Sequence, residues 1–192
     1  MSRQAAITDA AIAALAAEGM RGLTHRAVDR AAGLPEGSTS YYFRTRHALL
    51  AATVERLVEL DAAEMPAIAA SGRDDLADAA ATLLHAWMTV GRQRQLARYE
   101  LMLEATRRTQ LRVALNAAAA NVRAMVASLL ATAGIAEADR KAYELAALLD
   151  GLVFDQVAGA RAGSEPPGIG ELRGIVGRLL AAVVTPSRTS GR

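Results

Sequence analysis

A chain of 192 residues, 52% hydrophobic and 4% aromatic, is long enough for one small domain and one of ordinary size. A formal net charge of +2 excludes a polycation that coats nucleic acid indiscriminately, and the absence of cysteine excludes disulfides and thiolate metal sites. Ala, Leu and Arg are in excess and no stretch alternates as a strand would, so an all-α protein is expected. The charge is unevenly placed. Residues 1–50 carry six arginines (Arg3, Arg21, Arg26, Arg30, Arg44, Arg46) against four carboxylates, and the rest of the chain sums to zero. Arg offers a planar fork to phosphate or guanine that Lys lacks. No basic-then-apolar leader opens the sequence and no unbroken run of about 18 apolar residues is present, which gives the expectation of a cytoplasmic protein without a membrane partner.

In chain order, Ser2 to Glu18 reads as an amphipathic helix with Ile7, Ala11, Ala14 and Leu15 on one face, ended by Gly19. Thr24 caps a short helix whose inward positions are Ala27, Val28 and Ala31, and Gly33 ends it in the left-handed conformation. Leu34 is an apolar plug, Pro35 has the φ suited to a first helical turn, and Glu36 favours the positive end of the next helix dipole. A second short helix therefore runs from about Glu36 to Tyr42. Its outer face carries Ser38, Ser40 and Tyr41, and Gly37 lets the backbone approach a phosphate. Phe43 closes the unit from inside. Thr45 caps the next helix, and Arg46 stands at its start, where a cation opposes the dipole but suits a phosphate.

Taken together, these offsets resemble the helix-turn-helix of the tetracycline-repressor (TetR) family of bacterial regulators over roughly Ile7 to Leu50. The shared features are Glu18-Gly19, Gly22-Leu23-Thr24, Ala31-Ala32-Gly33-Leu34, Gly37-Ser38, Tyr42-Phe43, and Thr45-Arg46 before Ala48-Leu49-Leu50. Three positions depart from the usual pattern: Pro35 where Ser is frequent, Glu36 where Lys or another DNA-friendly residue is common, and Ser40 where an aromatic is usual. The resemblance implies a three-helix DNA-binding domain over 1–46 and a helical-bundle domain for ligand binding and dimerisation over 47–186, with 187–192 as a disordered tail. It implies a double-stranded DNA operator, a small-molecule effector and a second copy of the chain as partners. By the same resemblance Arg26 reaches a guanine edge, while His25, Ser38, Tyr41, Tyr42 and Arg46 each either touch phosphate or the groove or serve the fold; Gly37 and Ser40 join the candidates from their own place on the second short helix. Glu36 either accepts from cytosine N4 or only favours its helix start.

Beyond the reader, the helix from Thr45 continues through Leu49, Leu50, Val54, Leu57 and Val58, and Pro66 interrupts it near its end. Ser71-Gly72-Arg73 reads as a loop. Asp74 caps a helix with Leu76, Ala80, Leu83, Leu84, Trp87 and Met88 inward, running to Gly91. The next carries Leu96, Tyr99, Leu101, Met102 and Leu103 and stops near Arg107-Arg108. Leu111 to Ala133 is a long Ala-rich helix ended by Gly134, with a tetra-alanine at Ala117 to Ala120 suited to a close helix contact. Asp139 to about Ala160 is apolar on two sides and needs two partners. After a loop over Gly163 to Gly170, Glu171 to Val184 is the last helix, and Thr185 to Arg192 is expected to be disordered.

Two residue sets follow from that layout. Leu149, Val153 and Val157 on one helix, with Leu172, Ile175, Val176, Leu179 and Val183 on the last, exceed what one small bundle covers and are expected at a dimer interface. Trp87, Met88, Tyr99, Met102, Leu103, Met125, Leu129 and Phe154 read either as ordinary core or as the wall of the apolar pocket that the family resemblance implies. Arg98, Glu100, Glu104 and Asp150 either pair along their helices or orient a ligand; Asp150 is placed with the pocket. Catalytic residues, a metal site and a cofactor are not expected, since His25, His47 and His85 lie far apart and no His-x-x-x-His or Gly-x-Ser-x-Gly pattern occurs. The competing expectation is an all-helical carrier or enzyme whose N-terminal helices imitate the motif.

Overall fold

The computed structural model describes residues 2–64 and 73–184. Among these residues the chain forms nine helices and no strand. Ser2 accepts the N–H of Ala5 at 3.1 Å and opens α1 (Arg3–Gly22). Gly19, at φ 63° and ψ −165°, breaks the helical path as expected, but a further turn follows it, so α1 ends at Gly22 rather than Glu18. Next come α2 (His25–Ala31) and α3 (Ser38–Tyr42). The third helix is two residues shorter than the sequence suggests, because Gly37 stands at φ 92°, a left-handed conformation outside helical geometry, and leaves Pro35 and Glu36 in a turn. Thr45 caps α4 (Arg46–Glu64) by accepting from Ala48 at 3.1 Å.

Then follow α5 (Arg73–Met88), α6 (Arg92–Ala105), α7 (Thr109–Thr132), α8 (Ala138–Val157) and α9 (Ile169–Val184). Asp74 thus lies in the first turn of α5 rather than capping it, and α5 stops three residues before Gly91. The expected break at Pro66, the loop at Ser71-Gly72 and the disordered tail, given as Thr185 to Arg192 and as 187–192, fall outside the described residues.

The helices group into two compact units: residues 1–65 with 89–119, and residues 66–88 with 120–192. Packing therefore sorts the chain differently from a cut after residue 46, since α4, α6 and the start of α7 belong with the N-terminal helices. In the first unit α1 is central and packs on α6, α2 and α4. Its buried cluster includes Ile7, Ala11, Leu15, Leu23, Val28, Phe43, Leu49, Leu50, Leu57, Leu101 and Leu111. The small residues Ala97 and Ala105 join Leu101 at one-turn spacing on α6, which lets that helix come close. In the second unit α5 packs on α9 and α8, and α8 on α9.

One expectation is corrected by α7. Its 24 residues are long and apolar enough to cross a membrane by length and composition alone, although no unbroken apolar run exists. Single polar residues such as Asn116, Asn121, Arg123 and Ser128 interrupt every run without changing the average character. Of the tetra-alanine, only Ala118 packs against the buried cluster of the first unit; Ala117, Ala119 and Ala120 are exposed.

Candidate nucleic-acid interface

The unit built from α2 and α3 is fixed by three local devices. At its start, Thr24 Oγ1 accepts the N–H of Ala27 at 3.1 Å. At the end of α2, Gly33 N–H donates to Arg30 O at 3.2 Å and Leu34 N–H to Asp29 O at 2.9 Å. This pair of bonds closes a helix and reverses the chain tightly. The third device is Asp29. Its carboxylate is 2% exposed and accepts from Gly37 N at 2.8 Å, Thr39 N at 2.7 Å and Thr39 Oγ1 at 2.6 Å. Gly37, which precedes α3, has no side chain to cap it, so a carboxylate from the neighbouring helix supplies the acceptor that the first N–H groups of α3 require. Burial alone would raise the Asp29 pKa, but the bonds from the Thr39 hydroxyl and from the Thr39 and Gly37 amides, with the nearby His25, outweigh it and hold the carboxyl below its ordinary range. Helical spacing points Ala31 inward, but Ala31 is exposed and Asp29 is the buried residue of that turn. The available signal was the glycine cap itself, which needs an acceptor from elsewhere.

The residues expected to meet DNA divide into two groups. In the first, side chains are committed to the protein. His25 Nε2 lies 2.8 Å from Phe43 O, joining the start of α2 to the end of α3. Arg46 donates to the carbonyls of Leu23 and Met20, satisfying acceptors left over at the end of α1, which is a sufficient reason for a cation at that place. Ser38 Oγ donates to Pro35 O at 2.7 Å. Tyr42 is half-buried against the core cluster, its ring edge-on to Tyr41 at 5.2 Å.

In the second group the side chains face outward: Arg26, Glu36, Ser40 and Tyr41, the last 79% exposed; Gly37 is exposed as well, but its N–H is held by Asp29. Arg30 and Arg44, which sequence reasoning counted only as charges, are exposed too. Glu36 stands in the turn just before α3. Its Oε1 lies 2.7 Å from Arg26 Nε.

This head is joined firmly to the rest of its unit. Glu100 on α6 accepts the N–H of Met20 at 3.2 Å, just after the break at Gly19. Arg56 on α4 donates to both oxygens of Asp9 on α1, at 2.7 and 3.2 Å. Farther along α4, Arg94 pairs with Glu64 and stands 4.0 Å from Asp61, whose carboxyl burial pushes up although Arg98 and Arg94 oppose the shift.

The remaining predicted residues are dispersed. Of the pocket set, Tyr99, Met102 and Leu103 belong to the first unit, and Trp87, Met88, Met125, Leu129, Asp150 and Phe154 to the second. Met88 and Tyr99 are buried, Trp87, Met125, Leu129 and Asp150 half-buried, and Met102, Leu103 and Phe154 exposed. Of the dimer set, Val153, Val157, Leu172 and Val176 are buried within the single chain, and Leu149, Ile175, Leu179 and Val183 are half-buried. The large apolar side chains that α8 and α9 leave exposed are Tyr143, Leu148, Phe154 and Ile169.

Two short helices at the N-terminus, locked by a buried carboxylate and presenting Arg, Ser and Tyr outward, form a helix-turn-helix. The family comparisons fix the lineage. Residues 7–53 match the model for bacterial regulatory proteins of the tetR family, and residues 71–185 the model for the tetracyclin repressor-like C-terminal domain. The chain belongs to the TetR family. Among solved structures it is similar to a TetR-family member from Streptomyces coelicolor A3, with 32% identity over 93% of this chain and 98% of that one and a TM-score of 0.74. It is similar to the multidrug binding protein EbrR in complex with ethidium, with 30% identity over 93% and 98% and a TM-score of 0.70. A transcriptional regulator from Rhodococcus sp. Rha1 shares the fold at 21% identity, covering 96% and 100%, with a TM-score of 0.78. No curated protein matches the chain.

Proposed function

We propose that the protein is a ligand-responsive repressor which binds a palindromic operator as a homodimer and is released by a small apolar or amphipathic compound. The observation that carries the reading is the outward edge of α2 and α3, where Arg26, Ser40 and Tyr41 are exposed on a scaffold that Asp29 holds rigid. Small hydroxyls and an aromatic approach a groove closely, and Arg reads guanine. The roles of Gly37, His25, Ser38, Tyr42 and Arg46 are to hold the head in shape.

Dimerisation is assigned to α8 and α9. Four of the residues first expected there are consumed by packing within the chain, so the contact falls to the outward side chains Tyr143, Leu148, Phe154 and Ile169, with the half-buried Leu149, Ile175, Leu179 and Val183. A two-fold axis through these helices pairs each with its mate in a four-helix contact. The amphipathic class of effector is supported by the similarity to EbrR, a multidrug binding protein solved with ethidium and, at 31% identity to this chain, with malachite green.

The test is a footprint on the DNA upstream of the coding sequence. Two protected half-sites related by a dyad, about 34–36 Å apart centre to centre or a multiple of that, are expected. A single asymmetric protection contradicts the dimeric reading.

A further inference from the structure

We propose that Glu36 is a positioning residue that sets specificity: its carboxylate holds the Arg26 guanidinium for one guanine-containing base pair in each half-site and keeps it from sequence-blind phosphates. The inference rests on Arg26 as a reader of DNA and adds a second residue to that contact.

The pair joins two segments. Arg26 is the second residue of α2, and Glu36 lies in the turn before α3, with Nε and Oε1 2.7 Å apart. Both side chains are largely exposed, 83% for Arg26 and 69% for Glu36. An ion pair so open to water adds little to folding, because solvent screens it and two long side chains are immobilised to make it. Its place matters more than its strength. The backbone beside Glu36 is pinned, since Gly37 donates to the buried Asp29 carboxylate at 2.8 Å. Glu36 is therefore anchored at its root, and the electrostatic minimum for Arg26 is set by the fold rather than by whatever phosphate lies near.

The chemistry of the approach agrees. Contact is made through Nε, the nitrogen nearest the chain, so the two terminal amino groups are not the ones held closest. Those groups form the fork that meets guanine O6 and N7. A carboxylate at this edge also repels phosphate. An arginine left alone would add to binding of any sequence, whereas beside this carboxylate its attraction to an arbitrary phosphate is offset by the repulsion between that phosphate and Glu36. A guanine edge can accept the fork while the Glu36 pair stays in place.

The experiment uses the full chain and a duplex operator selected by the wild type from a random pool. Affinities are measured at two salt concentrations for that operator, for every single-base-pair variant of one half-site, and for a random duplex, with wild type, Glu36→Gln, Arg26→Ala and the double variant, each checked for unchanged helicity. Glu36→Gln is expected to bind the random duplex more tightly and to lose at least tenfold in discrimination at one base pair, the same one at which Arg26→Ala loses its preference. In the Arg26→Ala background Glu36→Gln is expected to change nothing at that base pair. If Glu36→Gln tightens all duplexes equally and every base preference survives, Glu36 acts by charge alone and the positioning role is overturned, with the Arg26 contact intact. If Arg26→Ala itself keeps every preference, the reading of Arg26 fails, and the role of Glu36 fails with it.

Discussion

Arg26 carries the most direct prediction at the scale of single residues. Because it is exposed and its ion pair adds little to folding, Arg26→Ala is expected to leave the melting temperature within a degree or two while operator affinity drops by roughly 1–3 kcal/mol for each subunit. Normal operator binding in a titration would remove it from the interface. Asp29 is the opposite case: it is buried and fixes the turn between the outward residues of α2 and α3. Asp29→Asn replaces an acceptor of three hydrogen bonds by an amide whose NH2 meets donors, and a loss of about 1–3 kcal/mol is expected. The pH dependence has a definite sign. The folded carboxyl titrates below its ordinary value of 3.8, so its stabilisation is complete above that pH and disappears as pH falls through the lower, folded value. Thermal melts of the two proteins should differ at neutral pH and converge in acid below about pH 3.8; a constant gap throughout would contradict the assignment. Thr24 and Gly33 were legible in the sequence because their partners lie within a turn, whereas Asp29 acts on an amide ten residues away and leaves no local pattern.

The break in α1 decides most at the level of helices. Gly19 is needed there for its φ of 63°; a Cβ on it would also stand 3.1 Å from Glu100 Oε2, which would have to shift by a few tenths of an ångström. Gly19→Ala is therefore expected to cost about 1–2 kcal/mol or more. Calorimetry of Gly19→Ala and of Glu100→Gln checks it, the second losing only the charge on the bond to Met20 N–H; an unchanged Gly19→Ala would refute the requirement. The same scale separates the two faces of α8 and α9. Leu180→Ala, inside the chain, should destabilise by about 2–5 kcal/mol. Leu148→Glu with Phe154→Glu should instead give folded monomers by light scattering, and dimers that persist would move the interface. Periodicity showed that α8 is apolar on two sides, yet it could not say which side serves the chain itself, since Val153 and Phe154 are equally apolar and adjacent. Only the packing of the folded chain buries the first and leaves the second largely outward.

For the molecule as a whole, the proposed release from DNA is a matter of linked equilibria. If a compound binds better to the form whose heads do not fit the operator, it weakens DNA binding by that difference, and operator must weaken the compound by the same factor. Trp87, the only tryptophan, is the built-in reporter proposed for that site. Titration of a releasing compound, followed by tryptophan emission with and without operator, should give matched factors; an affinity unmoved by operator would place the effector's action elsewhere. The membership of the family and the all-helical fold were legible from the first fifty residues and the lack of strand patterns. The grouping of α4 and α6 with the N-terminal helices was not, because it depends on contacts far apart in sequence such as Glu100 with Met20. Specific recognition of DNA by the edge of α2 and α3 is what the proposed function requires. It is tested most directly by titrating the protein against its upstream operator and a scrambled duplex of equal length across a range of salt. Affinity for the operator should exceed that for the scrambled duplex by at least about 10³-fold at physiological salt. Equal affinities, both erased as salt rises, would mean that the protein binds DNA by charge alone.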